Sequence, residues 1–107
     1  MEIRKVKISD IKPAAYNPRL DLKPGDPEYE KIRRSIEEFG LVDPLIWNER
    51  TKTLVGGHQR LKVIKEMGFE EVKVSVVDLP LEKEKALNIA LNKISGDWEK
   101  EALKDLL

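Results

Sequence analysis

Cysteine is absent from the 107 residues, and histidine occurs once, at His58. The first absence removes disulfides, thiolate nucleophiles and cysteine-based zinc sites; the second removes a multi-histidine metal centre within one chain. A thiol-free chain is expected in the cytoplasm. Long hydrophobic runs are also missing. The longest uncharged apolar stretch, around Val74 to Val77, covers about five residues, far below the ~20 that a membrane helix needs. Met1 leads straight into Glu2-Ile3-Arg4-Lys5, so no signal peptide and no membrane partner are expected. Neither sign of charge is in excess: 20 Lys and Arg balance 20 Asp and Glu. Domains that grip duplex DNA with a whole face are usually basic, so the mean charge argues against that mode. Only six residues are aromatic, too few to line both a core and a stacking platform for single strands.

What remains is a globular composition, 40% hydrophobic and 37% charged, sized for one domain over residues 1–107 with one modest core. Glu2 to Ile8 is expected to be a strand. Ser9 to Pro27 holds four of the six prolines and is expected to be a long irregular loop, a kind that is often functional. Asp26-Pro27-Glu28 signals a helix start, with Asp26 as the cap. Tyr29, Ile32, Ile36 and Phe39 then form one apolar stripe, and Gly40 ends the helix. Two short strands, Leu45–Trp47 and Thr53–Val55, flank a polar hairpin loop. A second helix is expected over Gly57–Met67, a strand over Val72–Val76, a third helix over Leu81–Lys93 and a last one over Trp98–Leu106. The spacing predicts a core of Ile32, Ile36, Phe39, Leu61, Ile64, Val74, Val76, Leu87 and Leu91, with Trp47 inside it. The last helix, residues 98–107, could dock on the domain or lead into a longer parent chain.

One stretch is chemically unusual. Gly56-Gly57-His58-Gln59-Arg60 places two glycines between a strand and a helix, and sets the sole histidine beside them. Glycine lets the backbone approach a ligand closely. The first N–H groups of a helix lack partners and carry partial positive charge. Together these make an anion site, which Arg60 could grip bidentately while His58 and Gln59 add donors. From Arg50 to Lys65 there are five basic residues, Arg50, Lys52, Arg60, Lys62 and Lys65, and no acidic one. A plainer reading stands beside this one: Gly-Gly as a tight turn and no more, and Arg60 as a solvated side chain. Neither GxxxxGK[ST] nor GxGxxG is present, so the common phosphate-loop signatures do not apply.

The order of short motifs carries a resemblance. Asn17-Pro18-Arg19 comes first, then Ser35-Ile36-Glu37-Glu38-Phe39-Gly40, Asp43-Pro44-Leu45-Ile46, Gly56-Gly57-His58-Gln59-Arg60 and Val72-Lys73-Val74. This resembles the N-terminal domain of ParB partition proteins, within the ParB/sulfiredoxin superfamily, and most closely the ParB-like domains of some phage and bacterial DNA methyltransferases. The resemblance implies an α+β fold with a small mixed β-sheet and packed helices. It implies that Gly57 to Arg60 match the Gly-Glu-Arg-Arg box that holds a nucleoside triphosphate, CTP or ATP, at a helix N-terminus. His58 stands in place of the box's Glu and Gln59 in place of its first Arg. Asn17 and Arg19 are expected to reach the nucleotide or a DNA backbone. The sulfiredoxin cysteine is replaced by His58, which excludes that reaction.

The family's Mg²⁺-holding Glu-Asn pair falls on Ile89 and Ala90, so the usual ligands are absent, with Asn88 and Asn92 as polar neighbours. Asp43, where the family has Gln, is expected to be a cap or a metal or ribose contact. The implied partners are a nucleotide and DNA, reached directly or through a larger parent or DNA methyltransferase, and a dimer is left open. Other readings are a DNA-binding or nuclease-like accessory module, or a small-molecule kinase of the superfamily. Nucleotide hydrolysis or phosphotransfer is also left open.

Overall fold

In a computed structural model, residues 1–16 and 22–92 are described. The expected helix over Trp98–Leu106, Ile94 and the Asn17 and Arg19 positions lie outside these residues.

Four strands form one mixed sheet in the order β1-β4-β2-β3. They are β1 (Glu2–Lys7), β2 (Leu45–Asn48), β3 (Thr53–Gly56) and β4 (Glu71–Val77). β1 runs antiparallel to β4, with Val6 opposite Val72. β2 lies parallel to β4, with Leu45 opposite Val74, and antiparallel to β3, with Trp47 opposite Leu54. The hairpin through residues 49–52 supplies the antiparallel pair. The parallel pair needs a crossover, and helix α2 (His58–Glu66) supplies it. The α+β class and the mixed sheet are as the sequence implies.

The core is the layer between the sheet and α1 (Pro27–Phe39) with α2. Leu45, Leu54, Ile64, Val63 and Val74 are fully buried, and Trp47, Tyr29, Ile36 and Leu61 nearly so. Ile32 and Val76 are half-buried against this layer. Phe39 is a correction: it is 66% exposed. At about 100° per residue it lies about 80° around α1 from Tyr29 and about 60° from Ile36, the two buried positions, and so falls at the edge of the inward face.

Asp26 holds the N-cap position of α1 as expected, with one difference. Its side chain makes no cap bond to α1; Oδ2 instead accepts from the Lys23 N–H at 2.9 Å. The proline-rich loop is more ordered than expected. Ile8–Asp10 form a 3-10 turn, so the first strand stops one residue early. Lys12 then bridges to Thr53 beyond it, with Leu54 N–H donating to the Lys12 carbonyl at 2.7 Å. Ile8, Ile11, Ala14 and Leu22 are buried. The loop therefore covers the open edge of β3, which would otherwise present unpaired backbone groups.

Helix α3 (Leu81–Asn92) corrects the stripe reading. Leu87 and Leu91 are only half-buried, Ala90 is exposed and Ile89 is 65% exposed. The buried positions are Glu84 and Asn88, one turn apart. α3 lies over the β2–β3 hairpin, where backbone carbonyls and polar side chains need partners, so it turns a polar pair inward.

Candidate phosphate site

The glycine turn is positioned by the sheet edge. The register of β2 and β3 runs from Trp47–Leu54 to Ile46–Gly56 and so skips Val55. Such a bulge re-aims the chain at a strand end. Here the displaced Val55 carbonyl accepts from Asn88 Nδ2 at 2.9 Å, which fixes the turn to α3. The Asn88 Nδ2 is thereby committed to the backbone.

Gly56 packs tightly: a Cβ there would lie 3.1 Å from Leu91 Cδ1. Gly57 is the N-cap of α2 in the left-handed region, φ 92°. A Cβ on Gly57 would fall 2.5 Å from Leu45 Cδ2 and 2.9 Å from Arg60 Nη2. No side chain fits at that position, and the reason is informative: the Arg60 guanidinium lies back across the start of its own helix, against Gly57. The helix proper begins at His58, one residue later than the sequence suggests, and its first internal bond is Leu61 N–H to Gly57 O at 2.9 Å. The amides of His58, Gln59 and Arg60 precede it and have no acceptor within the helix. No acidic residue lies in this first turn.

Arg60 is held by the neighbouring turn. Nη2 donates to the Pro44 carbonyl at 3.3 Å, and Nη1 stands 3.4 Å from Asp43 Oδ2. Asp43 is thus an ion-pair partner of Arg60 rather than a helix cap. Buried Nε has no hydrogen-bond partner among the described residues, and the same is true of His58 Nε2. Burial pushes the His58 pKa below its ordinary 6.5, so the ring is neutral at pH 7. Gln59 and Arg60 border a groove of about 300 Å³ that runs between α1 and the start of α2, past Ile32, Leu41, Val42 and Asp43.

The structure gathers Gly56, Gly57, His58, Gln59 and Arg60 at one turn, as expected. It does not support the reading of five uncompensated cations. Arg50 Nε pairs with Asp78 at 2.9 Å, Lys52 sits 5.2 Å from the Trp47 ring centre, and Arg60 has Asp43.

A second polar cluster escaped the sequence reading. Glu84 is fully buried. Its Oε1 accepts from Asn48 Nδ2 at 2.8 Å and from Thr51 Oγ1, and its Oε2 accepts from Tyr16 O–H at 2.8 Å. Burial pushes the Glu84 pKa up, but the bonds from Thr51, Asn48 and Tyr16 outweigh it, and the carboxyl ends below its ordinary 4.5. Burial, then the hydrogen bond to the Glu84 carboxylate and its charge, push the Tyr16 pKa well above its ordinary 10. The cluster ties the proline-rich loop, the hairpin and α3 together.

The comparisons with known proteins converge. The profile of the ParB N-terminal domain matches residues 1–93. The "Probable chromosome-partitioning protein ParB" of Campylobacter jejuni is 30% identical over 90 residues, covering 81% of this chain and 31% of its own length. A Pnob8-like ParB-N domain structure superposes with a TM-score of 0.70 at 25% identity, over 89% of this chain and 37% of that one. The truncated ParB of Caulobacter crescentus, solved with CTP-gamma-S, gives a TM-score of 0.69 at 20% identity over 86% of this chain and 53% of that one; it supports the fold. The chain spans about a third of the curated relative it matches. With the family profile matched over residues 1–93 of 107, the chain belongs to the ParB N-terminal domain family.

Proposed function

We propose that this domain binds the phosphates of a nucleoside triphosphate, CTP first, at the Gly56–Arg60 turn, and that it serves a DNA transaction, partition or DNA modification, within a longer protein. One observation carries the reading. The Arg60 guanidinium lies against Gly57, at the positive end of α2, where three amides have no helical acceptor. A cation at a helix N-terminus is unfavourable on its own. An anion seated there resolves the conflict, taking the free amides and a charge-assisted contact from Arg60 together. Only glycine leaves the backbone bare at this turn, since a Cβ on Gly57 would collide with Leu45 Cδ2 and Arg60 Nη2, and Arg60 Nε is buried without a partner among the described residues. A partition protein of the same fold was solved with CTP-gamma-S, which favours CTP as the first nucleotide to test.

The chain's own residues would do three things. The Gly57 turn brings the amides of His58 to Arg60 to the ligand, Arg60 neutralises it, and the neutral His58 ring adds a donor without a second full charge. Bound Mg²⁺ would share the phosphate charge, but the residues do not fit the family's ligand pair: Ile89 and Ala90 occupy it, and Asn88 holds Val55. Asn17 and Arg19, expected from the resemblance to contact the nucleotide, lie outside the described residues. DNA would be reached through a longer parent, such as a DNA methyltransferase, and a dimer would form in that setting.

Isothermal calorimetry of the 107-residue chain with CTP, ATP, ADP, short duplex DNA and inorganic tripolyphosphate tests this. Saturable binding of CTP supports it. No heat from any phosphate-bearing ligand at millimolar concentration overturns it.

A further inference from the structure

Resting on that phosphate reading, we infer that Asp43 is a resident counter-anion of the site: it neutralises Arg60 in the free domain, the incoming phosphate displaces it, and its charge sets the affinity below what the turn could reach. Asp43 Oδ2 stands 3.4 Å from Arg60 Nη1, longer than a well-formed hydrogen bond, so the attraction is mostly coulombic. The two partners are unequally held. Asp43 has 76% of its side chain in water, against 29% for Arg60. The guanidinium is seated on Gly57 and the Pro44 carbonyl, so the acid moves and the base stays.

Asp43 cannot leave the neighbourhood. Pro44 follows it, and Leu45 at the start of β2 is fully buried, so the backbone is anchored and only the side chain can turn away. It borders the same groove as Gln59 and Arg60. A bound polyanion therefore first displaces this carboxylate and then stays close to it. Both effects weaken binding, and both depend on charge rather than shape. Asp43 acts as a specificity residue that keeps simple anions off Arg60 and reserves it for ligands that also take the helix amides.

The probe is inorganic tripolyphosphate titrated into the intact chain, with Asp43→Asn, Asp43→Glu and Arg60→Ala alongside wild type. Asp43→Asn should bind about three- to sixfold tighter at low salt, the scale of one unit charge at about 4–6 Å in a watery setting. The gain should shrink toward unity near 1 M salt, where such a contact is screened. Asp43→Glu keeps the charge and should bind like wild type. If wild type binds, Arg60→Ala does not, and Asp43→Asn binds equally or more weakly, the carboxylate supports the site, and the inference fails while the phosphate reading stands. If wild type and Asp43→Asn both fail to bind, both ideas fall. Binding by Asp43→Asn alone supports the inference in its strongest form.

Discussion

Two polar corners of this domain treat their buried groups in opposite ways. At Glu84 a fully buried carboxylate receives bonds from Asn48, Thr51 and Tyr16. At Arg60 a guanidinium is held by one carbonyl and one loose carboxylate, its Nε has no partner among the described residues, and neither does Nε2 of the adjacent His58. Buried polar groups are normally satisfied, and those left open mark strain or a missing ligand. The first corner is a closed knot that joins three segments. The second is open on one side and charged, as a binding site is before it is filled.

The largest effect expected from breaking this contrast is on stability, at the knot. Glu84→Ala leaves three donors without their acceptor and should cost about 3–5 kcal/mol in a denaturant titration. A cost under about half a kcal/mol would show that water replaces the carboxylate freely and that the knot is not closed. The knot should also appear in acid. The Glu84 carboxyl lies below its ordinary value in the folded chain, so the unfolded chain takes up the proton first. The stability this supplies is present above about pH 4.5 and is lost as pH falls through the folded value. Glu84→Gln should flatten that acid loss; an unchanged acid limb would assign it to other carboxylates. Tyr16→Phe removes one bond of the knot and should cost about 1 kcal/mol, which thermal melts can resolve. Phe39→Ser, on the exposed end of α1, should shift stability by no more than ~0.5 kcal/mol, and a larger loss would mean that the ring is covered in solution.

The sequence made most of the architecture legible because periodicity is a local signal. α1 spans Pro27–Phe39 as expected, and the four strands fall within a residue or two of their expected limits. The glycine turn was legible for the same reason, since strand, Gly56-Gly57 and helix are contiguous. What stayed hidden was non-local. Glu84 sits in the charged run Glu82-Lys83-Glu84-Lys85, which reads as a solvated face, Asn88 sits among the uncharged residues that follow, and their partners lie more than 30 residues away. Their spacing of one helical turn was the only available hint. Asp43 was noticed, but its pairing with Arg60 depends on how the entry to β2 meets the entry to α2, which no short window contains. Phe39 sits at the margin of its stripe, about 80° around the helix from Tyr29, and is exposed there.

The central claim is that Arg60 at the glycine turn exists to bind phosphate rather than to hold the fold. Calorimetry of CTP against wild type and Arg60→Ala, with the unfolding free energy of both forms measured in parallel, tests it most directly. The account predicts a loss of about ten- to a hundredfold in affinity, roughly 1.5–3 kcal/mol, with stability changed by less than about 0.5 kcal/mol. Arg60→Lys should recover only part, because an ammonium cannot form the bidentate fork. Equal CTP binding by wild type and Arg60→Ala, or a large loss of stability without a loss of affinity, would contradict it.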